Sequence, residues 1–208
     1  KNNQGGMKAR QMFPIWFLIQ KMKFPYIIES GIWYGQGTWF FEQASSESKI
    51  FSIDPDLSRI RYRSKNVEYR KEDFFEINWN KLVEKKKTLC FFDDHQNALE
   101  RVRYAVKNGW KYLVFEYNYP TNIGDCVSLK QVFDENSTDA DFLKEHIKIY
   151  YEFPPIYKVE YTRWGDKWDN IDYPTHKPLQ RSLENDKRRV YLDEIEQYTW
   201  ICYVELKN

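Results

Sequence analysis

Cysteine is scarce in this chain of 208 residues. Cys90, Cys126 and Cys202 are odd in number and irregular in spacing, which excludes a disulfide framework and favours a reducing compartment. No Cys and His pattern of zinc-ligand spacing is present. Long apolar runs are missing too: no stretch approaches the roughly 20 residues of a membrane helix. The polar start, Lys1 to Arg10, lacks the apolar core and cleavage site of a secretory signal. A soluble, cytoplasmic protein with no membrane span is expected. Nor is there an excess of charge, since 32 Lys and Arg stand against 31 Asp and Glu. A net charge of +1 sets up no field to gather polyanions, so nucleic acid is a poor partner. The small basic clusters at Arg59 to Arg63 and Lys85 to Lys87 read as solvated ends of elements. There is no internal repeat and no low-complexity segment. The length suits one domain, residues 1–208, with a full core. A start at Lys1 with Met7 behind it reads as a piece excised from a longer polypeptide, whose other domains would be partners, or as a tag remnant.

What the sequence does have is aromatic residues, 18% of the chain, and one segment with more information than any other. Ile27-Ile28-Glu29-Ser30-Gly31-Ile32-Trp33-Tyr34-Gly35-Gln36-Gly37-Thr38 reads as a buried strand entering a glycine turn and then a helix. Glycine tolerates positive φ and leaves room for a ligand against the backbone. A helix N-terminus behind the turn offers N–H groups to polar ligand atoms. Lys49 to Asp54 forms a second short strand closed by an acid, and an acid there accepts hydrogen bonds from ribose hydroxyls in doubly wound sheets. The dinucleotide spacing G-x-G-x-x-G is absent, which demotes a nicotinamide enzyme.

Strand and helix patterns alternate through the body, as in a parallel sheet with crossover helices. Met7 to Lys23 has helical spacing, with Pro14 assigned to its first turn; residues 1–23 form an N-terminal helical extension. Strands are predicted at Tyr26 to Glu29, Ile50 to Asp54, Val67 to Arg70, Thr88 to Asp93 and Tyr112 to Glu116. Helices are predicted at Thr38 to Gln43, Leu57 to Arg63, Asn80 to Lys85 and Gln96 to Asn108, the last ended by Gly109. Turn chemistry fills Tyr117 to Ser137. A helix from Asp139 to Tyr151, a strand from Ile156 to Tyr161, a charged stretch from Arg181 to Arg189 and a strand from Tyr198 to Leu206 complete the chain, the last two strands forming an antiparallel edge. Residues 117–150 and 162–190 are read as acceptor-side insertions.

The order Glu29, Gly31, Gly35, Gly37, in the form E-x-G-x-x-x-G-x-G, resembles the first motif of class I S-adenosylmethionine-dependent methyltransferases. The likeness runs from about Tyr26 to Lys130 and is nearest to the small-molecule O-methyltransferases, including the catechol type and the macrolide-sugar and rhamnosyl type related to cephalosporin hydroxylase. It implies an α/β, Rossmann-like fold with a mostly parallel seven-stranded sheet, an antiparallel last strand and helices on both faces. It also implies a cofactor site. Glu29 would bind the methionine portion, Gly31, Gly35 and Gly37 would allow close backbone approach, and Asp54 would hold the ribose. Asp73 and Phe74 would lie near adenine, and Asp93 would border the cofactor.

Methyl transfer to a hydroxyl requires alignment and removal of a proton, by a base within hydrogen-bond reach or with the help of a metal. Leu89 to Gln96 is an apolar strand ending in Asp93, Asp94 and His95. One aspartate as a helix cap with a surface histidine explains part of this trio, and catalysis explains all of it. His95 is the candidate base and Asp94 the next. In the sugar O-methyltransferases that the segment resembles, acids after the fourth and fifth strands bind Mg2+. Asp93 and Glu116 fit two of those positions, whereas Tyr117 stands where a second acid of the pair is found, which leaves Asn118 as a further oxygen ligand.

Acceptor contacts fall to Tyr117, Tyr119, Trp164, Trp168 and His176. Trp164 and Trp168 either anchor their loop to the core or face a sugar ring. The expected function is O-methylation of a sugar hydroxyl, such as a deoxyhexose in a glycan. The alternatives are a non-catalytic cofactor-fold module of a glycan-assembly protein and an NAD-linked oxidoreductase.

Overall fold

A computed structural model describes residues 6–156, 158, 159, 161, 167–169, 175–179 and 198–207. Seven strands form one sheet: β1 (Tyr26–Ser30), β2 (Lys49–Ile53), β3 (Val67–Arg70), β4 (Thr88–Phe92), β5 (Tyr112–Phe115), β6 (Ile147–Glu152) and β7 (Cys202–Leu206). Their spatial order is β3-β2-β1-β4-β5-β7-β6. Pairs from β3 to β5 are parallel, and β7 runs antiparallel between β5 and β6. Between β1 and β4 the order reverses, and in open sheets of this kind that reversal opens a crevice at the carboxyl ends of the strands.

The central strands read as unbroken apolar runs because both sheet faces are covered. Alternate residues serve opposite cores. Ile27, Ile50, Leu89, Phe91 and Val114 pack with Ile15, Ile19 and Phe41 from α1 (Ala9–Met22) and α2 (Gln36–Ala44). Ile28, Phe51, Cys90, Phe92 and Leu113 face a second core with Val102 and Ala105 of α3 (Ala98–Asn108), Leu129 of α4 (Leu129–Asp134) and Leu143 of α5 (Thr138–His146). Among the described residues no helix is long and apolar enough to cross a membrane.

Several predicted elements differ. Pro14 lies inside α1 as its sixth residue, beyond the first turn. The helices expected at Leu57 to Arg63 and Asn80 to Lys85 are short 3-10 turns, Leu57–Arg59, Trp79–Lys81 and Lys85–Lys87. Tertiary bonds take over there: Arg61 and Tyr62 donate their N–H groups to the Tyr34 carbonyl at 3.1 Å, and the Trp79 indole donates to the Phe74 carbonyl at 2.8 Å. The expected helix from Asp139 to Tyr151 divides at His146, because Ile147 to Glu152 pairs with β7 as a strand. Helix α4 arises inside the predicted turn region, begun by a capping box between Ser128 and Gln131. The described part of Ile156 to Tyr161 contains no strand, only an isolated bridge from Tyr161 to Lys167. The charged stretch from Arg181 to Arg189 lies outside the described residues.

Candidate active site

The turn after β1 is built around its own acid. Asp54 Oδ2 accepts the N–H groups of Ile32 at 2.9 Å and Trp33 at 3.3 Å, and its Oδ1 accepts that of Asp56 at 2.8 Å. Two amides of the turn itself, those of Ile32 and Trp33, are therefore engaged by Asp54, while the N-terminus of α2 begins beyond them at Gln36. Gly31 adopts φ 95°, and a Cβ there would collide with the Asp93 carbonyl of the neighbouring strand end. At Gly37 a Cβ would meet the Glu29 carboxylate. The glycines thus allow close approach of the chain to itself. Glu29 lies under the turn, 1% exposed, and its Oε2 accepts the hydroxyls of Thr38 at 2.5 Å and Ser52 at 2.6 Å. Burial raises its pKa to about 7.

Asp93 and Glu116 meet at the carboxyl edge because the ladder continues past the strands: Asp93 N–H donates to the Ser30 carbonyl at 2.8 Å and Glu116 N–H to the Phe92 carbonyl at 3.0 Å. Burial, then the charges of Glu116, Glu29 and Asp94, push Asp93 well above the usual carboxylate range. Gln11 of α1 donates to both Glu116 and Thr199, tying the N-terminal helix to the site. His95 has φ 51°, a left-handed conformation uncommon outside glycine. Its Nδ1 lies 2.7 Å from Asp125 Oδ1 and its Nε2 3.7 Å from Asp93 Oδ1, while its ring stacks on Tyr117 at 5.3 Å.

Asp94, taken from sequence as the second candidate base, is instead a structural hub. Its carboxylate accepts the Ser30 hydroxyl at 2.6 Å, the Tyr117 hydroxyl at 3.1 Å and the Arg101 guanidinium at 2.7 Å. Arg101 is 1% exposed and also grips Asp73 through two bonds of 2.9 Å. These three partners occupy both oxygens of the carboxylate. Asn118 is corrected likewise as a metal ligand: its amide nitrogen donates to Tyr150 and Glu152, and its oxygen accepts the Lys130 N–H. Phe74 is fully buried among Trp79, Phe92, Tyr104 and Trp110, away from any open surface. Tyr117 and Tyr119 are fully buried as well: Tyr117 backs His95 and Asp94, whereas Tyr119 packs against Trp200.

A cleft of 490 Å³ opens where β1 and β4 part, with Ser30, Gly31 and Trp33 on one wall and His95 and Gln96 on another. Six acids line it, Asp54, Glu72, Asp73, Asp93, Asp94 and Asp125, and among the described residues no Lys or Arg does. Sequence reasoning did not select Trp33, Glu72, Asp125, Arg101 or Gln11. Trp33 was visible within the glycine motif, whereas Asp125, thirty positions from its partner His95, left no local signal. A second cavity, 890 Å³, is lined by Trp168, His176, Asp169 and the lysines 158, 167 and 177. Trp168 stacks on Trp200 at 5.0 Å, and Trp164 lies outside the described residues.

One oxygen or nitrogen each from Asp93, His95 and Glu116 lie within 4.8 Å of one another, close enough to converge on one cation. The donor set fits a divalent ion: two carboxylates and an imidazole, with no Lys or Arg paired to Asp93 among the described residues.

No family model matches the chain, and none of the curated proteins does. Solved structures do. The SAH-bound methyltransferase PaMTH1 from Podospora anserina aligns with TM-score 0.56 and 14% identity over 97% of this chain and 80% of that one. An O-methyltransferase from Bacillus cereus in complex with SAH aligns with TM-score 0.51 and 15% identity over 74% of this chain and 78% of that one. An apo structure of CmcI aligns with TM-score 0.50 and 15% identity over 71% of this chain and 68% of that one, and another CmcI structure is matched over only 52% of its length. The chain has the Rossmann-like class I methyltransferase fold: a mostly parallel seven-stranded sheet with an antiparallel last strand and flanking helices.

Proposed function

We propose that the chain is an S-adenosylmethionine-dependent O-methyltransferase acting on a sugar hydroxyl, such as that of a deoxyhexose in a glycan. The observation that carries this reading is the charge of the cleft. Six acids line it and, among the described residues, no lysine or arginine does; with Arg101 bound behind Asp73 and Asp94 the balance stays negative and favours a cationic ligand, and S-adenosylmethionine carries a sulfonium. The same lining opposes the pyrophosphate of a nicotinamide dinucleotide. Two structures of this fold were solved with the demethylated product SAH.

When bound, the cofactor supplies an electrophilic methyl group. In this reading Ser30, Gly31, Asp54 and Asp73 of the cleft lining would hold it, beside the half-exposed Trp33 indole, which carries Arg59 over its ring at 5.2 Å. Asp93, His95 and Glu116 are the groups that deal with the acceptor proton, either directly at His95 or through a cation on the carboxylates. In this reading the sugar would lie in the second cavity, among Trp168, Asp169, Thr175 and His176, with the Trp168 ring held from behind by Trp200.

The test is incubation with labelled S-adenosylmethionine and a panel of glycans. Label is expected in a neutral sugar hydroxyl, and His95→Ala is expected to lose turnover while binding SAH as the parent does. No transfer to any glycan by a protein that binds SAH would favour the non-catalytic module. Transfer to phenols alone would move the acceptor to another class.

A further inference from the structure

The imidazole of His95 is gripped on one side and open on the other. Its Nδ1 sits 2.7 Å from Asp125 Oδ1, and its Nε2 points to the acids, 3.7 Å from Asp93 Oδ1. A histidine with a carboxylate behind it and further ligands in front has the arrangement by which proteins fix the tautomer and raise the basicity of a metal-bound imidazole. The backbone at His95 adopts φ 51° in this pose, and Tyr117 stacks on the ring. Gln11 fixes Glu116 from the other side.

We propose that Asp93, His95 and Glu116 bind one divalent first-row transition ion through two carboxylates and the Nε2 of His95, with Asp125 as the positioning residue for the imidazole. This deepens the function proposed above and rests on it only for the choice of site. Magnesium takes oxygen ligands and strict octahedral geometry, whereas an imidazole in the set favours ions later in the first row. His95 would then be a ligand rather than the base, and a bound ion would supply a lower pKa at the acceptor hydroxyl, whose proton would pass to solvent water. A second trio, His95, Asp125 and Cys126, also lies within reach of one ion. It would take Nδ1 away from its 2.7 Å contact with Asp125.

The test uses the full chain and Mn2+ as the probe, read by pulsed electron paramagnetic resonance, with SAH affinity measured on the same samples. The expected result is one bound Mn2+ whose echo carries nitrogen modulation that changes on 15N-histidine labelling, a readout that needs no variant. Mn2+ is expected to bind about 10-fold or more tightly than Mg2+. His95→Ala should remove the nitrogen signal and most of that preference. Asp125→Asn should keep the nitrogen signal and weaken Mn2+ binding about 10- to 100-fold. Bound Mn2+ without nitrogen modulation, equal affinity for Mg2+, or no binding at all would overturn the proposal. So would Co2+ showing a thiolate charge-transfer band, which places the ion on Cys126. SAH binding that persists through such a failure leaves the methyltransferase reading standing, and loss of SAH binding with the metal retained removes only that reading.

Discussion

Glu29 shows how much one buried side chain sets. It is the acid of the glycine motif, yet its place under the turn makes it a strut between Thr38 and Ser52 rather than a wall of the cleft. Its pKa is raised from 4.5 to about 7, so between those values the native state holds a proton that the unfolded chain has released. Stability therefore falls as pH rises through that window, by about 3 kcal/mol at ~1.4 kcal/mol per unit. Glu29→Gln keeps an oxygen for both hydroxyls and removes the titration. Denaturant melts across pH 4.5 to 7 are expected to show a smaller loss of stability in the variant than in the parent; parallel curves would place the burdened acid elsewhere. At this scale the sequence showed which residues gather. Asp93, Asp94 and His95 were conspicuous because three polar residues end a run of buried ones. It did not show which would be consumed by neighbours. Asp94 is taken by Arg101 and Asn118 by Tyr150 and Lys130, contacts made across gaps of 7, 32 and 12 positions.

Elements were legible where local chemistry and tertiary packing agree. Helix α3 has an Asn97 cap accepting the Glu100 N–H, a buried stripe of Ala98, Leu99, Val102 and Ala105, and Gly109 at φ 74° after its end, all readable as pattern. Its polar Arg101 falls on the same buried side and joins Asp73 to Asp94. Asn97→Ala is expected to cost about 1 kcal/mol, visible as a lower midpoint in denaturant, with SAH affinity unchanged because Asn97 is not among the residues that line the cleft. An unchanged midpoint would mean that the cap bond contributes nothing. Where the two levels conflict, packing decided. Ile147 to Glu152 follows α5 without a glycine or proline between them, so helical spacing appeared to continue through Tyr151. The pairing of those residues with β7 turns them into a strand. Short connections behaved in the same way: between β2 and β3 the chain bonds to Tyr34 instead of building a full helix.

The whole molecule divides its charge although its net charge is only +1. The crevice at the β1/β4 reversal is lined with acids, while the cavity beside Trp168 includes lysines 158, 167 and 177. The topology was legible from the alternation of apolar strands and amphipathic helices, and the position of the cleft followed from the order of strands. The sign of its field was not legible, because Glu72, Asp73 and Asp125 reach it from three separate connections. That field is the ground for choosing a sulfonium over a dinucleotide. Isothermal titration of the full chain with SAH and with NADH, at low and at moderate ionic strength, tests this most directly. SAH, a zwitterion of no net charge, is expected to bind in both conditions, and NADH, with its anionic pyrophosphate, in neither. Tight binding of NADH with none of SAH would contradict the account.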